Sequence, residues 1–314
     1  MELDLETFLT TLYVITDDLY VDFVLPKMPA SGGPEPKLSD SEVLCLGLAA
    51  QWRSGVPWKT ERAFVRYAVK NLRAAFPRLP DRAQLNLLIR HAHDRIVRVG
   101  QDFVTLLGSA EQPYEVLDGM GVAVRNNKRR GPGWLDGMAN TGWSNRLGWY
   151  DGFHVLTAVD RIGVVTGYAV APASTKDQPY AEDFLAARAQ PQARLPMVGR
   201  PAKGPYLGDR GFEGRERHRH WYVAYGAEML APPRNDRKHP WPKDWQTWHA
   251  RLRQIVETVH GKWTETFRLD DERPHTLEGF LARLAALAAL HNACIWINQS
   301  LGRKPLAFAD LIDW

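Results

Sequence analysis

From Tyr114 the chain reads "YEVLDGMGVAV", apolar enough over a short enough run to predict a β-strand. Two more strands are predicted at "GFHVLTAVD" (152–160) and "GVVTGYAVAPA" (163–173), joined through the turn "DRIG". The period then changes. "QPYAEDFLAARAQ" (178–190) predicts a helix, "GPYLGD" (204–209) a short strand and "RERHRHWYVAYG" (215–226) another helix. "AEMLAPP" (227–233) predicts a strand, "QTWHARLRQIVETVHGKW" (246–263) a helix, and a long apolar helix runs on from Thr276. Strands in this order, with helices between the later ones, predict a mixed α/β sheet covered by helices.

The first third of the chain has helical periodicity instead. After a Pro- and Gly-rich linker, "PKMPASGGPEPK" (26–37), Ser39 and Glu42 stand at capping-box spacing and open a helix through "VLCLGLAAQW". A second helix is predicted over 60–72, and "FPRLPD" marks a turn. Asp81 and Gln84 then cap a single third helix, "RAQLNLLIRHAHDRIVRVGQDFVTLL". The organisation expected is a helical module over 1–110 and an α/β domain over 111–314.

Charge adds a partner to this picture. The net charge is only +4, but the basic residues cluster: Arg53 to Arg98 holds eleven Lys/Arg against three Asp/Glu. "RNNKRR" (125–130) and the run from Arg215 to His220 are two further clusters. Each alone reads as a solvated face; three together point to a polyanion, with nucleic acid the expected partner. Cys45 and Cys294 stand far apart without metal-ligand spacing, so a disulfide framework and a zinc site are not expected. The acidic N-terminus lacks the basic region of a signal peptide. "FLARLAALAALHNACIWI", interrupted by Arg283, His291 and Asn292, reads as a buried helix and not a membrane span. A cytoplasmic protein is expected.

Three acids occupy special places. Asp118 lies inside the first strand, sharing a face with Tyr114 and Val116. An acid there must be solvated at the strand end, paired, or bound to a cation. Asp209 ends the fourth strand, where ligands collect in open α/β sheets, although Asp is equally a common turn former. Glu257 falls off the apolar stripe of Trp248, Leu252, Ile255, Val256 and Val259, and Arg253 four residues earlier could make an ordinary surface pair with it. Together the three suit a hard divalent cation such as Mg²⁺, which takes oxygen ligands. Without a cation they would repel one another.

At these residues the chain resembles the DDE transposases of bacterial insertion sequences. "YEVLDGMGVAV", "YLGDRGFEGRE" and "RLRQIVETVHGKW" carry the resemblance, with 91 positions from Asp118 to Asp209 and 48 from Asp209 to Glu257. "GWYDGFHVLTAVDRIGVVTGYAVAPASTKD" is similar to the family's two strands before an alanine-rich turn ending in Asp, here Asp177. "PKLSDSEVL" and "FPRLPDRAQLNLLIR" resemble insertion-sequence group 982. Arg253 and Glu257 match a family motif whose tyrosine and lysine positions are here Ala250 and Thr264, with Lys262 nearby. The lysine expected before the strand histidine is Phe153; His154 itself reads equally as a core residue or a phosphate contact.

The resemblance implies a ribonuclease-H-like catalytic sheet and an N-terminal helical DNA-binding module. It implies two Mg²⁺ per site, with Mn²⁺ able to substitute, held by Asp118, Asp209 and Glu257. Arg253, Arg210, Arg215, Lys128, Arg129, Arg130 and Lys262 become the expected DNA contacts. The implied reaction is cutting at terminal inverted repeats followed by joining of the exposed 3′-hydroxyl to target DNA, by a homodimer on DNA in the bacterial nucleoid. Rival readings are a metal-dependent nuclease, a non-catalytic DNA-binding descendant and, more remotely, a two-carboxylate glycoside hydrolase.

Overall fold

The computed structural model describes residues 2–27, 36–124, 134–190, 197–198, 204–234, 240–271 and 273–313. Its helices are α1 (Leu5–Leu19), α2 (Asp40–Ala49), α3 (Glu61–Asn71), α4 (Arg82–His91), α5 (His93–Leu106), α6 (Asp177–Ala189), α7 (Arg215–Tyr225), α8 (Lys243–Glu265) and α9 (Leu277–Ser300). Its strands are β1 (Leu3–Asp4), β2 (Glu115–Ala123), β3 (Asn140–Ser144), β4 (Gly148–Asp160), β5 (Val165–Pro172), β6 (Met197–Val198), β7 (Tyr206–Leu207), β8 (Met229–Leu230) and β9 (Ile312–Asp313). The chain forms two compact units: 1–103 with 262–268 and 278–314, and 104–261 with 269–277.

The first unit is helical and gathers around α9. Phe280, Leu284, Leu287, Leu290, Ile295 and Ile297 project in all directions from α9 and are buried, so the helix is apolar all round and central. It is long and apolar enough to cross a membrane, but 89% of its most apolar window is buried within the protein. Arg283, which interrupts that run, donates from Nη2 to the Phe267 carbonyl at 3.1 Å. The capping box predicted for α2 is present: Ser39 Oγ accepts from Glu42 N–H, and Glu42 Oε2 accepts from Ser39 N–H at 2.6 Å. Asp81 caps α4 through Gln84 N–H at 2.9 Å. The single helix predicted after Asp81 is instead two, α4 and α5, broken at Ala92. Periodicity alone does not see this break, because Ala92 is buried on the apolar face that both helices share. Cys45 and Cys294 are free and buried, and burial pushes the Cys45 thiol up to about 12.

The second unit is built on one sheet. Its main path runs β6-β5-β4-β2-β7-β8, with β3 paired to β4. β2, β4 and β5 are antiparallel neighbours, while β7 lies parallel to β2 and β8 parallel to β7. The order β5-β4-β2-β7-β8 is the one expected of a ribonuclease-H-like sheet. Leu117, Leu156, Ala158 and Ala169 project from one sheet face onto Phe184 and Leu185 of α6 and Trp221 of α7. β3 was not foreseen: "NTGWS" is polar and short, and it becomes a strand only by pairing with the first residues of β4.

A buried ion pair ties β2 to β7. Arg188 of α6 meets Glu115 at the start of β2, and the two side chains are 2% and 1% exposed. Arg188 also donates to Thr166 Oγ1 at 2.9 Å and to the Tyr206 hydroxyl at 3.1 Å. Tyr206 is the register partner of Glu115.

Candidate active site

The β2–β7 register explains the spacing of the first two acids. Glu115 pairs with Tyr206 and Val116 with Leu207, an offset of 91 residues in each case. Continued by two residues, the same register sets Asp118 beside Asp209, and neighbouring strands lie only about 4.8 Å apart. The ladder itself stops at Leu207. Asp209 then caps a single turn, its Oδ1 accepting from Gly211 N–H at 2.7 Å.

Asp118 points to the sheet face that α8 covers. Its Oδ1 accepts from Gly119 N–H at 3.0 Å, and its Oδ2 receives Arg253 Nη2 at 3.1 Å. Burial pushes the Asp118 carboxyl up to about 7; Arg253 opposes this, while the nearby charges of Asp209 and Asp177 reinforce it. Directly across the β2–β4 ladder is Thr157, whose hydroxyl bridges the Asp118 carbonyl at 3.3 Å and His260 Nε2 at 2.7 Å. Because the hydroxyl donates to the carbonyl, His260 supplies its own proton to the hydroxyl. Burial, with Arg146, Arg253 and His154 adding to it, lowers His260 to about 3, so its ring is neutral.

Arg253 and His260 therefore fix one side of α8 against the strands. Glu257 lies between them in sequence but to one side of both around the helix, turned about 40° from Arg253 and about 60° from His260 at 100° per residue. That rotation places it on the exposed flank of the same side. Of the expected stripe, Val256 and Val259 are buried but Trp248 is 49% exposed, and His249 and Trp263 are buried as well. The apolar count overlooked His249, which buries by donating from Nε2 to the Leu230 carbonyl at 3.0 Å.

A third aspartate joins the first two. Asp177 opens α6, and its Oδ1 lies 3.3 Å from His154 Nε2. The ring's other nitrogen, Nδ1, meets the Thr175 carbonyl at 2.9 Å. A Cβ on Gly211 would stand 2.8 Å from Asp209 Oδ1 and 3.1 Å from Asp177 Oδ2, so both carboxylates close over the same bare α-carbon. His154 needs a second glycine: a Cβ on Gly119 would come within 2.1 Å of its Nε2. Asp177 was legible only as the end of an alanine-rich turn. Its place beside Asp209 comes from the three-dimensional path of α6.

Beside Asp209 opens a groove of about 520 Å³, lined by Arg210, Gln246, Thr247, His249 and Arg253 among others. A larger groove, about 690 Å³, lies in the helical unit against Leu9, Tyr13 and Phe76, without the carboxylates described above. Arg210 and Arg215 are exposed, and Lys262 on α8 is partly exposed. Lys128, Arg129 and Arg130 lie outside the described residues.

Among the described residues no three His, Cys, Asp or Glu side chains are gathered closely enough to hold a metal ion as they stand. The donor chemistry nevertheless fits a hard divalent cation. Asp118 and Asp209 offer carboxylate oxygens whose mutual repulsion a cation would relieve, and one guanidinium now does part of that work.

The family model described as "Transposase DDE domain" matches residues 115–293. A comparison with curated proteins gave no match. Among solved structures, the chain is similar to the Mos1 strand transfer complex at 12% identity and a TM-score of 0.24, covering 85% of this chain and 82% of that one. The Mos1 mariner paired end complex with Mn gives 12% and 0.23, covering 81% and 86%.

Proposed function

The chain belongs to the transposase DDE domain family, and from that premise we propose that it cuts DNA at transposon ends and joins the freed end to target DNA. The observation that supports this reading most is the register of β2 and β7, whose 91-residue offset is also the spacing of Asp118 and Asp209, with Asp209 and the Asp118 partner Arg253 both lining the groove. Asp118, Asp209 and Glu257 are the proposed ligands of two Mg²⁺ ions, with Mn²⁺ able to replace them. Divalent ions, when bound, activate the attacking oxygen and stabilise the leaving oxygen of an in-line phosphodiester displacement.

The chain's own part is binding and charge placement. Asp118 is presented by a fixed strand and Asp209 by a capped turn, so both carboxylates are positioned before DNA arrives. Arg253 neutralises Asp118 in the free protein. Once the carboxylate is engaged elsewhere, that guanidinium is free to hold the scissile phosphate, to which its planar fork is suited. Arg210, next in sequence to Asp209, and Arg215, six residues on, are both exposed and extend the phosphate track; Lys128, Arg129, Arg130 and Lys262 are proposed to continue it. Residues 1–110 are proposed as the module that reads terminal inverted repeats, and 111–314 as the catalytic part, working as a homodimer on DNA.

The test is a supercoiled plasmid carrying the DNA that flanks this gene, incubated with wild-type protein, Asp118→Asn or Glu257→Gln in Mg²⁺, Mn²⁺ or EDTA. Primer extension should map metal-dependent nicks to fixed positions at the element ends, reduced at least ~100-fold in both variants. Binding without nicking in every condition would make the protein a DNA-binding descendant. Nicks without any joined product would make it a nuclease.

A further inference from the structure

The connection between β2 and β4 does something the cleavage chemistry does not require. It forms a hairpin, β3–β4, in which Trp143 and Trp149 are directly opposite one another. Both indoles face water, 57% and 74% exposed. Exposed tryptophans paired across a ladder, in a protein that buries Trp58, Trp221 and Trp263 completely, are costly to keep unless something covers them.

The hairpin that carries them is rigidly held. Asn140 bonds Ser174 twice, through its side-chain amide nitrogen at 2.7 Å and its oxygen at 2.9 Å. Gly142 approaches the Ala173 carbonyl so closely that a Cβ would stand 2.3 Å from it. At the tip, Arg146 donates to the Gly121 carbonyl at 2.6 Å and pairs with Asp270. Gly121 lies three residues beyond Asp118 on the same strand. The two indoles also share a sheet face with the active-site aspartate. Trp149 and Thr157 are an even number of residues apart on β4, and Thr157 is the register partner of Asp118. Eight residues of strand separate Trp149 from Thr157, so the platform lies no more than about 26 Å from Asp118 along the sheet.

The geometry points to Trp143 and Trp149 as a stacking platform for unpaired bases of the DNA strand leading to the active site. This rests on the transposase reading and extends it. Charge supports the occupant: from Val124 to Leu147 the connection carries five Lys/Arg and one Asp, which suits a polyanion and disfavours an acidic peptide. Indole faces stack on any base, so the platform is expected to tolerate sequence and to prefer single strands over duplex.

The experiment measures fluorescence anisotropy of a labelled dT20 strand, of a duplex from the gene's flanking DNA, and of that duplex with a ten-nucleotide overhang. Wild-type, Trp143→Ala, Trp149→Ala, the double variant and Trp149→Phe are compared as full-length chains across a salt series. Each alanine should weaken binding of dT20 and the overhang about 5-fold or more, and phenylalanine should restore most of it. The slope of log affinity against log salt should be unchanged, because no phosphate contact is lost. Double-variant affinities within 2-fold of wild type for every probe would overturn the platform while leaving the transposase reading intact. Equal weakening on all three probes, with an altered salt slope, would also overturn it, since that marks a general loss of the DNA surface. Wild-type protein that neither binds these probes nor nicks the plasmid would remove both readings.

Discussion

Removing the charge of Glu115 should cost the fold far more than its single side chain suggests. In Glu115→Gln the Arg188 guanidinium stays 2% exposed without its counter-ion, and Glu115 Oε1 and Arg188 Nε already lack hydrogen-bond partners. Breaking one side of such a pair typically costs about 3–5 kcal/mol. In a chain of this size that lowers the melting midpoint by roughly 5–8 °C. Replacing both partners with apolar groups, as in Glu115→Leu with Arg188→Met, removes the stranded charge and should cost less than the two single changes added together, with a coupling of at least about 1 kcal/mol. Tyr206 and Thr166 each lose one hydrogen bond in the double variant, which keeps it below wild type. Urea denaturation followed by far-ultraviolet circular dichroism gives the four corners of the cycle. Because Glu115 and Tyr206 stand three residues before Asp118 and Asp209, the folded fraction of Glu115→Gln should also nick plasmid more slowly than its concentration predicts. Strictly additive single changes, or single costs under about 1 kcal/mol, would refute the claim that this pair clamps β2 to β7.

Two further outcomes follow from the residues around Asp118. Gly119→Ala drives a methyl to 2.1 Å from His154 Nε2 and should cost about 1–3 kcal/mol; adding His154→Ala should recover part of that loss in the same urea assay. His260, depressed from 6.5 to about 3, contributes stability that is fully present above pH 6.5 and is lost as pH falls toward 3, an upper limit of about 5 kcal/mol. Melting midpoints of His260→Gln should therefore fall less than those of wild type between pH 6.5 and 4. A parallel decline in the two proteins would show that the buried ring is not the acid-sensitive group.

The fold was legible where one segment carries its own signal. The capping box of α2, the strands β2, β4 and β5 and the long helices α8 and α9 are written in local periodicity and caps. Pairing-dependent features were not. β3 exists only because β4 accepts it, and the α4–α5 break at Ala92 keeps the same residues on the apolar side. Chain order also hides that α9 packs in the helical unit, since a discontinuous unit has no contiguous composition to reveal it.

The same division runs through the site. The 91-residue interval between Asp118 and Asp209 is a register offset, a one-dimensional number that a parallel strand pair converts directly into adjacency. The 48 residues from Asp209 to Glu257 fix no comparable geometry, because a helix adds a rotation that the interval does not encode. Here that rotation follows from Arg253 on Asp118, His260 on Thr157, His249 on the Leu230 carbonyl and the burial of Val256 and Val259, and it leaves Glu257 on the exposed flank. Asp177 has the opposite history: legible in sequence only as the end of an alanine-rich turn, it is carried beside Asp209 by the packing of α6 and held there by His154. If Asp118 holds a cation as proposed, that cation would compete with Arg253, whose guanidinium is one of the contacts that orient α8. On that proposal ion binding and the orientation of Glu257 would be coupled through Arg253, so Arg253→Met should change both Mn²⁺ affinity by calorimetry and amide exchange along α8 around Glu257, where a purely electrostatic role would change affinity alone.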